Sequence, residues 1–220
     1  MKPIVFFVLV VMLFSGCATN KESLQPSSTF LGEYSNYLKP GEGEEQPKLV
    51  WFKEGADFTR FEKVMVDYVI FAFAEDSEYK GIDANELKEI ADTASLALVN
   101  ALQKEFPVVS EPGPDVLRVR VAITDLKQSK PVLSGVTSVV PVGLAVSLVK
   151  KGSQDTWTGS GATRAEMMVL DSVTNEVLAA GMDERSAGFT ERFSKWGSTE
   201  EAFKFWGERF TKRLVELTRK

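Results

Sequence analysis

Apolar positions recur along this chain with two different periods, and the switches between them divide it into elements. From Glu62 the period is two. Val64, Val66, Tyr68 and Ile70 alternate with Lys63, Met65, Asp67 and Val69, which predicts a strand. The period then lengthens. Leu87, Ile90, Ala91, Ala94, Leu98, Ala101 and Leu102 form one stripe at helical spacing, behind Asp83 as N-cap with Glu86 three residues on, and Pro107 ends the helix. Strict alternation returns after Glu111-Pro112-Gly113-Pro114. Leu117, Val119, Val121 and Ile123 point one way, and Arg118, Arg120, Ala122 and Thr124 the other. A third strand runs from about Trp157 to Leu170, a turn occupies 171–175, and a fourth strand covers Glu176 to Arg185. The last helix opens at Ser198 with Glu201 as capping-box partner, and Phe203, Trp206, Phe210, Leu214 and Leu217 make its apolar stripe.

The order β-α-β-β-β-α predicts an α+β fold. This is a two-layer sandwich with a mostly antiparallel sheet of about four strands and helices on one face. The other face is expected to lie open and to show Arg118, Arg120, Arg164, Glu166 and Glu184.

Two stretches fit neither period. Ile4 to Phe14 is apolar without a break, too short to span a bilayer as a helix but suited to the core of an export signal, with Lys2 before it. Ser15-Gly16-Cys17 follows, and resembles the bacterial lipobox, in which small residues precede a thiol that receives a diacylglyceryl group. Phe14 stands where leucine is commonest; the alternative is ordinary secretory cleavage after Gly16 or Ala18. Two or three acyl chains on Cys17, palmitate among them, would hold the protein to a membrane essentially permanently, at about 0.8 kcal/mol per buried methylene. By the sorting rule of enteric bacteria, Ala18 rather than aspartate after the cysteine favours the outer membrane, with the domain on its periplasmic side.

The second stretch, 131–149, carries no charge and ends at Lys150-Lys151. Its length reaches the membrane-helix range, but Pro141, two glycines and four hydroxyl residues oppose insertion. It is a connection packed over the core, a surface for a partner or for self-association, or a membrane-inserted segment. In the second reading Val136, Val139, Val140, Leu144 and Leu148 are the contact residues. The expected organisation is therefore a signal peptide at 1–16, a lipid-anchored tether and docking segment at 17–47, and a single domain at 48–220 with an apolar excursion at 131–151. Within the tether, Phe30-Leu31-Gly32-Glu33-Tyr34-Ser35 is apolar enough to dock on the domain.

Composition narrows the chemistry. The chain has no histidine, which removes the imidazole base of nucleophilic sites and the commonest ligand of zinc and copper. A single cysteine allows no internal disulfide, and lipidation would consume its thiol. The net charge of −5 argues against nucleic acid as a partner. No P-loop, Gly-x-Ser-x-Gly elbow or metal-ligand spacing is present, and Gly159-Ser160-Gly161 reads as a bend in a strand. No cofactor and no metal are expected, and the chain is expected not to be an enzyme; a hydrolase working on carboxylates alone is the distant alternative.

Several blocks are familiar. Phe30 to Ser35, then Gly55-Ala56-Asp57-Phe58-Thr59-Arg60-Phe61-Glu62-Lys63-Val64-Met65-Val66-Asp67, then Leu117 to Ala122, Pro141 to Ala145 and Trp196-Gly197 resemble an uncharacterised family of bacterial lipoproteins, domain of unknown function 3313. The resemblance implies the anchor, the compartment and a single domain, and carries over no catalytic or binding residue.

Two surfaces remain as candidates for binding. Phe205 lies about 200° around the last helix from Phe203, so it either packs under 189–196 or is a contact residue for an envelope partner, together with 131–149. Arg118 and Arg120 on the open face are candidates for a small anionic ligand such as a cell-wall fragment, against the plainer reading of cross-strand pairs with Glu166, Asp183 and Glu184. The expected role is a structural or partner-binding module anchored through lipid on Cys17, with the binding module for cell-wall fragments as alternative.

Overall fold

Alternation is sustained longest around 117–124, and that stretch lies inside the longest strand of the sheet. The structure, a computed structural model, describes residues 28–43, 46–73, 77, 81–127, 162–186 and 197–219. In chain order they form α1 (Ser28–Leu31), a 3-10 turn (Gly32–Tyr37), β1 (Lys39–Pro40), β2 (Leu49–Phe52), β3 (Lys63–Val66), β4 (Ile70–Phe71), α2 (Ala84–Leu102), β5 (Val116–Lys127), β6 (Ala162–Asp171), β7 (Val177–Ser186) and α3 (Gly197–Thr218). The positions Cys17, Val136, Val139, Val140, Leu144 and Leu148, the excursion at 131–151, Gly159-Ser160-Gly161 and the segment 189–196 lie outside the described residues.

The fold is α+β and the sheet is mostly antiparallel, but it has seven strands, not about four. They lie in the order β1-β2-β7-β6-β5-β3, with β4 also pairing with β5. Among the described strands, β3 and β4 run parallel to β5 and the other pairs are antiparallel. Two of the additional strands, β1 and β2, come from 39–52. The run Leu49-Val50-Trp51-Phe52 shows no alternation, and in the structure all four side chains are half-buried.

The single strand expected from Glu62 to Ile70 is two, and the reason is one extra residue. Val66 is opposite Val119 and Ile70 is opposite Ala122, four steps on one side against three on the other. An inserted residue reverses which side chains face inward. Val69 is therefore fully buried, with its N–H donating to Ser95 Oγ at 3.0 Å. Tyr68 and Ile70, expected inward, are exposed, and the Tyr68 hydroxyl donates to Asp92 at 2.7 Å.

Both helices form where their stripes predict; the cap holds for α2, whereas α3 begins at Gly197, one residue ahead of the Ser198 expected as its cap. Asp83 accepts the Asn85 N–H at 2.8 Å, and Ile90, Ala91, Ala94, Leu98, Ala101 and Leu102 are buried. The helix stops at Leu102, ahead of Pro107. Side chains of α2 and α3 close one face of the sheet over Leu117, Val119, Val121, Ile123, Val169 and Leu178. The two helices approach closely at Gly207, where a Cβ would meet the Ala101 Cβ at 3.0 Å. A buried hydroxyl pair, Thr163 with Thr199 at 3.0 Å, ties the start of α3 to β6.

The opposite face is less open than expected. Leu31 packs with Met168, Leu170, Val177 and Ala180, and Phe30, Tyr34, Leu38 and Trp51 lie against that cluster. Residues 28–38 thus roof part of this face. Arg164 and Glu166 are buried, not displayed, because β6 is central and each has neighbours on both sides; Glu166 is opposite Ala122 and Met182.

Candidate functional site

Arg118 and Arg120 share the roofed face of β5, as their parity requires. Their partner is not Glu166, Asp183 or Glu184 but Asp67, at the end of the parallel neighbour β3. Arg118 donates Nε and Nη2 to the two oxygens of Asp67 at 2.9 and 2.8 Å, and Nη1 to Asn175 at 2.9 Å. These bonds hold its pKa above the ordinary arginine value, the hydrogen bonds to Asp67 being the largest cause. Arg120 Nε stands 3.4 Å from the same Asp67 carboxylate, and its guanidinium lies over the Phe30 ring at 5.6 Å. One carboxylate thus serves two guanidinium groups.

Of the acids expected to pair with these arginines, Asp183 has other partners. Asp183, on β7, accepts Trp206 Nε1 at 2.9 Å and bonds Arg209, both on α3. It also accepts the Lys48 N–H, which joins the β1–β2 hairpin to the same knot. Asp171 opens the β6–β7 turn. It accepts the N–H groups of Val173 and Thr174 at 2.8 and 2.9 Å and an ion pair from Arg60. Burial pushes its carboxyl upward, and these bonds more than offset that, leaving the pKa below the usual carboxylate value.

Beside the Asp183 knot, between α3 and the β2–β7 edge, the structure leaves a cavity of about 120 Å³. Small residues make the space. Ala179 and Gly181 stand on β7 opposite Phe52 and Val50, and Ala165 continues the floor on β6. The walls are rings and alkyl groups: Phe52, Phe58, Leu98, Phe203, Trp206 and Phe210. A closed void of that volume would cost about 3 kcal/mol at roughly 24 cal/mol per Å³. The charged side chains of α3 on the lining are Arg209 and Arg213. Arg213 occupies the inward stripe 203-206-210-213-217, where the helical period would place an apolar residue. Its Nη1 donates to Glu216 at 2.8 Å and its guanidinium approaches the Phe52 ring at 6.0 Å. Its Nε is buried and has no hydrogen-bond partner among the described residues.

Phe205 projects from the other side of α3. It is 38% exposed, with the Arg185 guanidinium 4.2 Å and that of Arg209 5.0 Å from its ring. The sequence pattern placed Phe205 off the core stripe but missed both the cavity and the Asp183 knot. The signals available were the run of small residues Ala179-Ala180-Gly181 and an arginine on an inward stripe. Among the described residues no group of three or more His, Cys, Asp or Glu could hold a metal ion, and no helix is long and apolar enough to cross a membrane.

Comparison with known proteins bears out the family resemblance. The chain belongs to the DUF3313 family, described as proteins of unknown function, which matches residues 26–210. It is 25% identical over 137 residues to the uncharacterized lipoprotein YdcL of Escherichia coli, a match covering 62% of this chain and 61% of YdcL. The match therefore spans about three fifths of that relative's length. Among solved structures, the PelC dodecamer of Paraburkholderia phytofirmans overlaps 73% of this chain and 96% of its own, at 11% identity and a TM-score of 0.39. Protein XCC0632 of Xanthomonas campestris, of family DUF330, overlaps 71% and 86%, at 8% identity and a TM-score of 0.41. Overlaps this loose carry no assignment of role.

Proposed function

We propose that this chain is a non-enzymatic lipoprotein, anchored through Cys17 on the periplasmic side of the outer membrane, that binds another envelope component. The lipobox-like Ser15-Gly16-Cys17 and the lipoprotein relative support the anchor. Leu31, whose side chain is buried on the sheet, is fourteen residues from Cys17, so a tether of that length reaches at most about 50 Å from the bilayer. The ionic clusters support a binding role over a catalytic one, since Asp67 is committed to arginine, and Asp171 and Asp183 to arginine and to backbone or ring N–H groups. Phe205 carries the partner reading. A large ring exposed between two guanidinium groups is the composition of an interface anchor, where aromatic residues and arginine are enriched. The apolar stretch 131–149, with Val136, Val139, Val140, Leu144 and Leu148, is the proposed second half of the contact.

The test uses the full-length lipidated protein carrying a photo-crosslinking phenylalanine at position 205 and, as control, at the exposed Leu96 of α2. One adduct of defined mass at 205 and none at 96 is expected. Equal labelling at both, or none at 205, overturns the partner surface. Cys17→Ser should leave an unlipidated, mislocalised precursor; normal membrane retention of that variant overturns the anchor.

A second reading, capture of anionic cell-wall fragments, is favoured by the excess of cation at Asp67. The ion pair of Arg120 is 3.4 Å long and goes to a carboxylate already held by Arg118. Salt-sensitive binding of muropeptides, weakened in Arg118→Ala and Arg120→Ala, is its expected signature, and unchanged affinity in both variants excludes it.

A further inference from the structure

We propose that the cavity between α3 and the β2–β7 edge binds the hydrocarbon end of a small anionic amphiphile, with Arg213 receiving its head group. The shape of the space argues first. Ala165 and Ala179 leave it open beneath Phe203, Trp206 and Phe210, where Met167, Val169 and Leu178 fill the same face of these strands; at Gly181 the neighbouring Pro47 stands where a side chain would go. Interiors are close-packed, so a space that small residues keep clear across two strands and a helix has the character of a binding site.

Polarity fixes the class of occupant. Rings and alkyl groups line the interior, which suits hydrocarbon and leaves water without partners. The charges of the lining divide into two sets. Asp183 and Arg209 satisfy one another, and Trp206 adds its N–H to the same carboxylate. Arg213 is bound to Glu216 through Nη1 alone, and its buried Nε has no acceptor among the described residues. A buried donor on a permanent cation calls for an oxygen acceptor, and a carboxylate or phosphate oxygen supplies it with the strength of a charge-assisted bond. The Glu166 side chain lies on the opposite face of the sheet, opposite Ala122 and Met182, so it does not set the charge preference here.

Volume sets the length. The 120 Å³ of the cavity takes about four water-sized groups. About four methylenes would then be enclosed, so an eight-carbon chain lies half in the cavity with its remaining carbons and head toward the partly exposed Arg213, whereas most of a full-length membrane acyl chain would protrude. The same chemistry is offered by a free medium-chain acid and by a short-chain anionic phospholipid.

The test is photolabelling of full-length lipidated protein in phosphatidylcholine nanodiscs, with an eight-carbon carboxylic acid bearing a terminal diazirine, mapped by peptide mass spectrometry. Label should concentrate in 47–58 and 203–217. Octanoate should displace it at least tenfold better than octyltrimethylammonium. Dioctanoyl phosphatidylglycerol is the second competitor: displacement by it in preference to octanoate assigns the lipid source, and the reverse assigns the free acid. Ala179→Leu, which fills the cavity, should abolish labelling while keeping the wild-type circular dichroism. If that variant does not fold, Arg213→Gln carries the test, with competition by octanoate weakened about tenfold. Label spread evenly over the chain, equal displacement by the cationic amphiphile, or unchanged labelling in folded Ala179→Leu or in Arg213→Gln overturns the proposal. None of these readouts depends on the partner surface at Phe205.

Discussion

The two faces of the sheet are closed by different means. On one face α2 and α3 bring Leu98, Leu102, Phe203 and Leu214 onto valines and leucines of the strands, and the contact is mostly hydrocarbon, with the Thr163–Thr199 pair and the Asp183 knot as its polar points. The other face holds Arg118, Arg120, Arg164 and Glu166 on the same strands, and among the described residues its apolar cluster is built around Leu31, the roof of residues 28–38 and Trp51. Burial on the first face is cooperative and general, because any apolar side chain of the right size contributes. On the second it is specific, since each charge needs its own partner and gains little net stability once desolvation is counted. Stability is therefore expected to reside with the helices, and alignment of the strand ends and turns with the polar face.

Substitutions on the two faces should separate these roles, beginning with the largest effect. Phe203→Ala removes a buried ring that packs edge-on against Trp206 at 5.3 Å and walls the cavity. A loss of about 3–5 kcal/mol is expected in chemical denaturation. A loss under about 1 kcal/mol would mean that the cavity side of α3 is not part of the cooperative core.

Leu31→Ala tests the roof. Leu31 is 2% exposed, so the side chain is as buried as any beneath α2, but the segment that carries it is short and meets the sheet through one small cluster. A loss of about 2–3 kcal/mol in a single transition is expected. Two transitions, the first abolished by the substitution, would show instead that 28–38 docks as a separate unit.

Asp171→Asn probes polar anchoring, and its pH dependence gives the sign. The folded carboxyl titrates below its unfolded value, near 3.9, so its contribution is complete above that value and is lost as the pH falls through the lower folded one. The variant should be about 1–3 kcal/mol less stable than the parent at pH 7, the usual cost of weakening a charged hydrogen-bond set. The difference should shrink steadily as the pH falls below about 4. A constant difference across that range would assign the effect to turn geometry and not to charge.

How far these features were legible depends on period. Both long helices were written plainly, since Ile90, Ala94 and Leu98, like Phe203, Trp206 and Leu214, recur at one spacing and are buried as that spacing requires. β5 was equally plain, but its edges were not. A single extra residue near Asp67 reverses parity after Val66, and nothing in the local composition marks it. β2 was missed because a strand half-buried on both sides loses the alternation that identifies it, and β1 because its two exposed residues are too few to carry a period. The Asp183 knot joins residues from β7, α3 and the β1–β2 hairpin, so no local pattern contains it. Of the candidate residues, Phe205 was readable from helix geometry alone, while the partner of Arg118 and Arg120, Asp67, lies across the parallel β3–β5 pairing, which the mostly antiparallel expectation did not locate.

Phe205→Ala gives the smallest expected change in stability and the sharpest form of the comparison, because it removes the same side chain as Phe203→Ala two residues along one helix. Phe203 is closed in by the core and Phe205 is more than one third exposed. What Phe205 loses on truncation is its contact with Arg185 and Arg209, worth about 0.5–1 kcal/mol at an exposed site, and Arg209 keeps its ion pair with Asp183. The expected cost is therefore under about 1 kcal/mol, several-fold less than for Phe203. Because Phe205 contributes so little to the fold, its exposure is better explained by what it meets outside the domain, and complex formation in the membrane should fall in Phe205→Ala while the melting curve barely moves. A cost equal to that of Phe203→Ala would reverse the assignment. Phe205 would then be a second core position, and the contact surface would have to lie elsewhere.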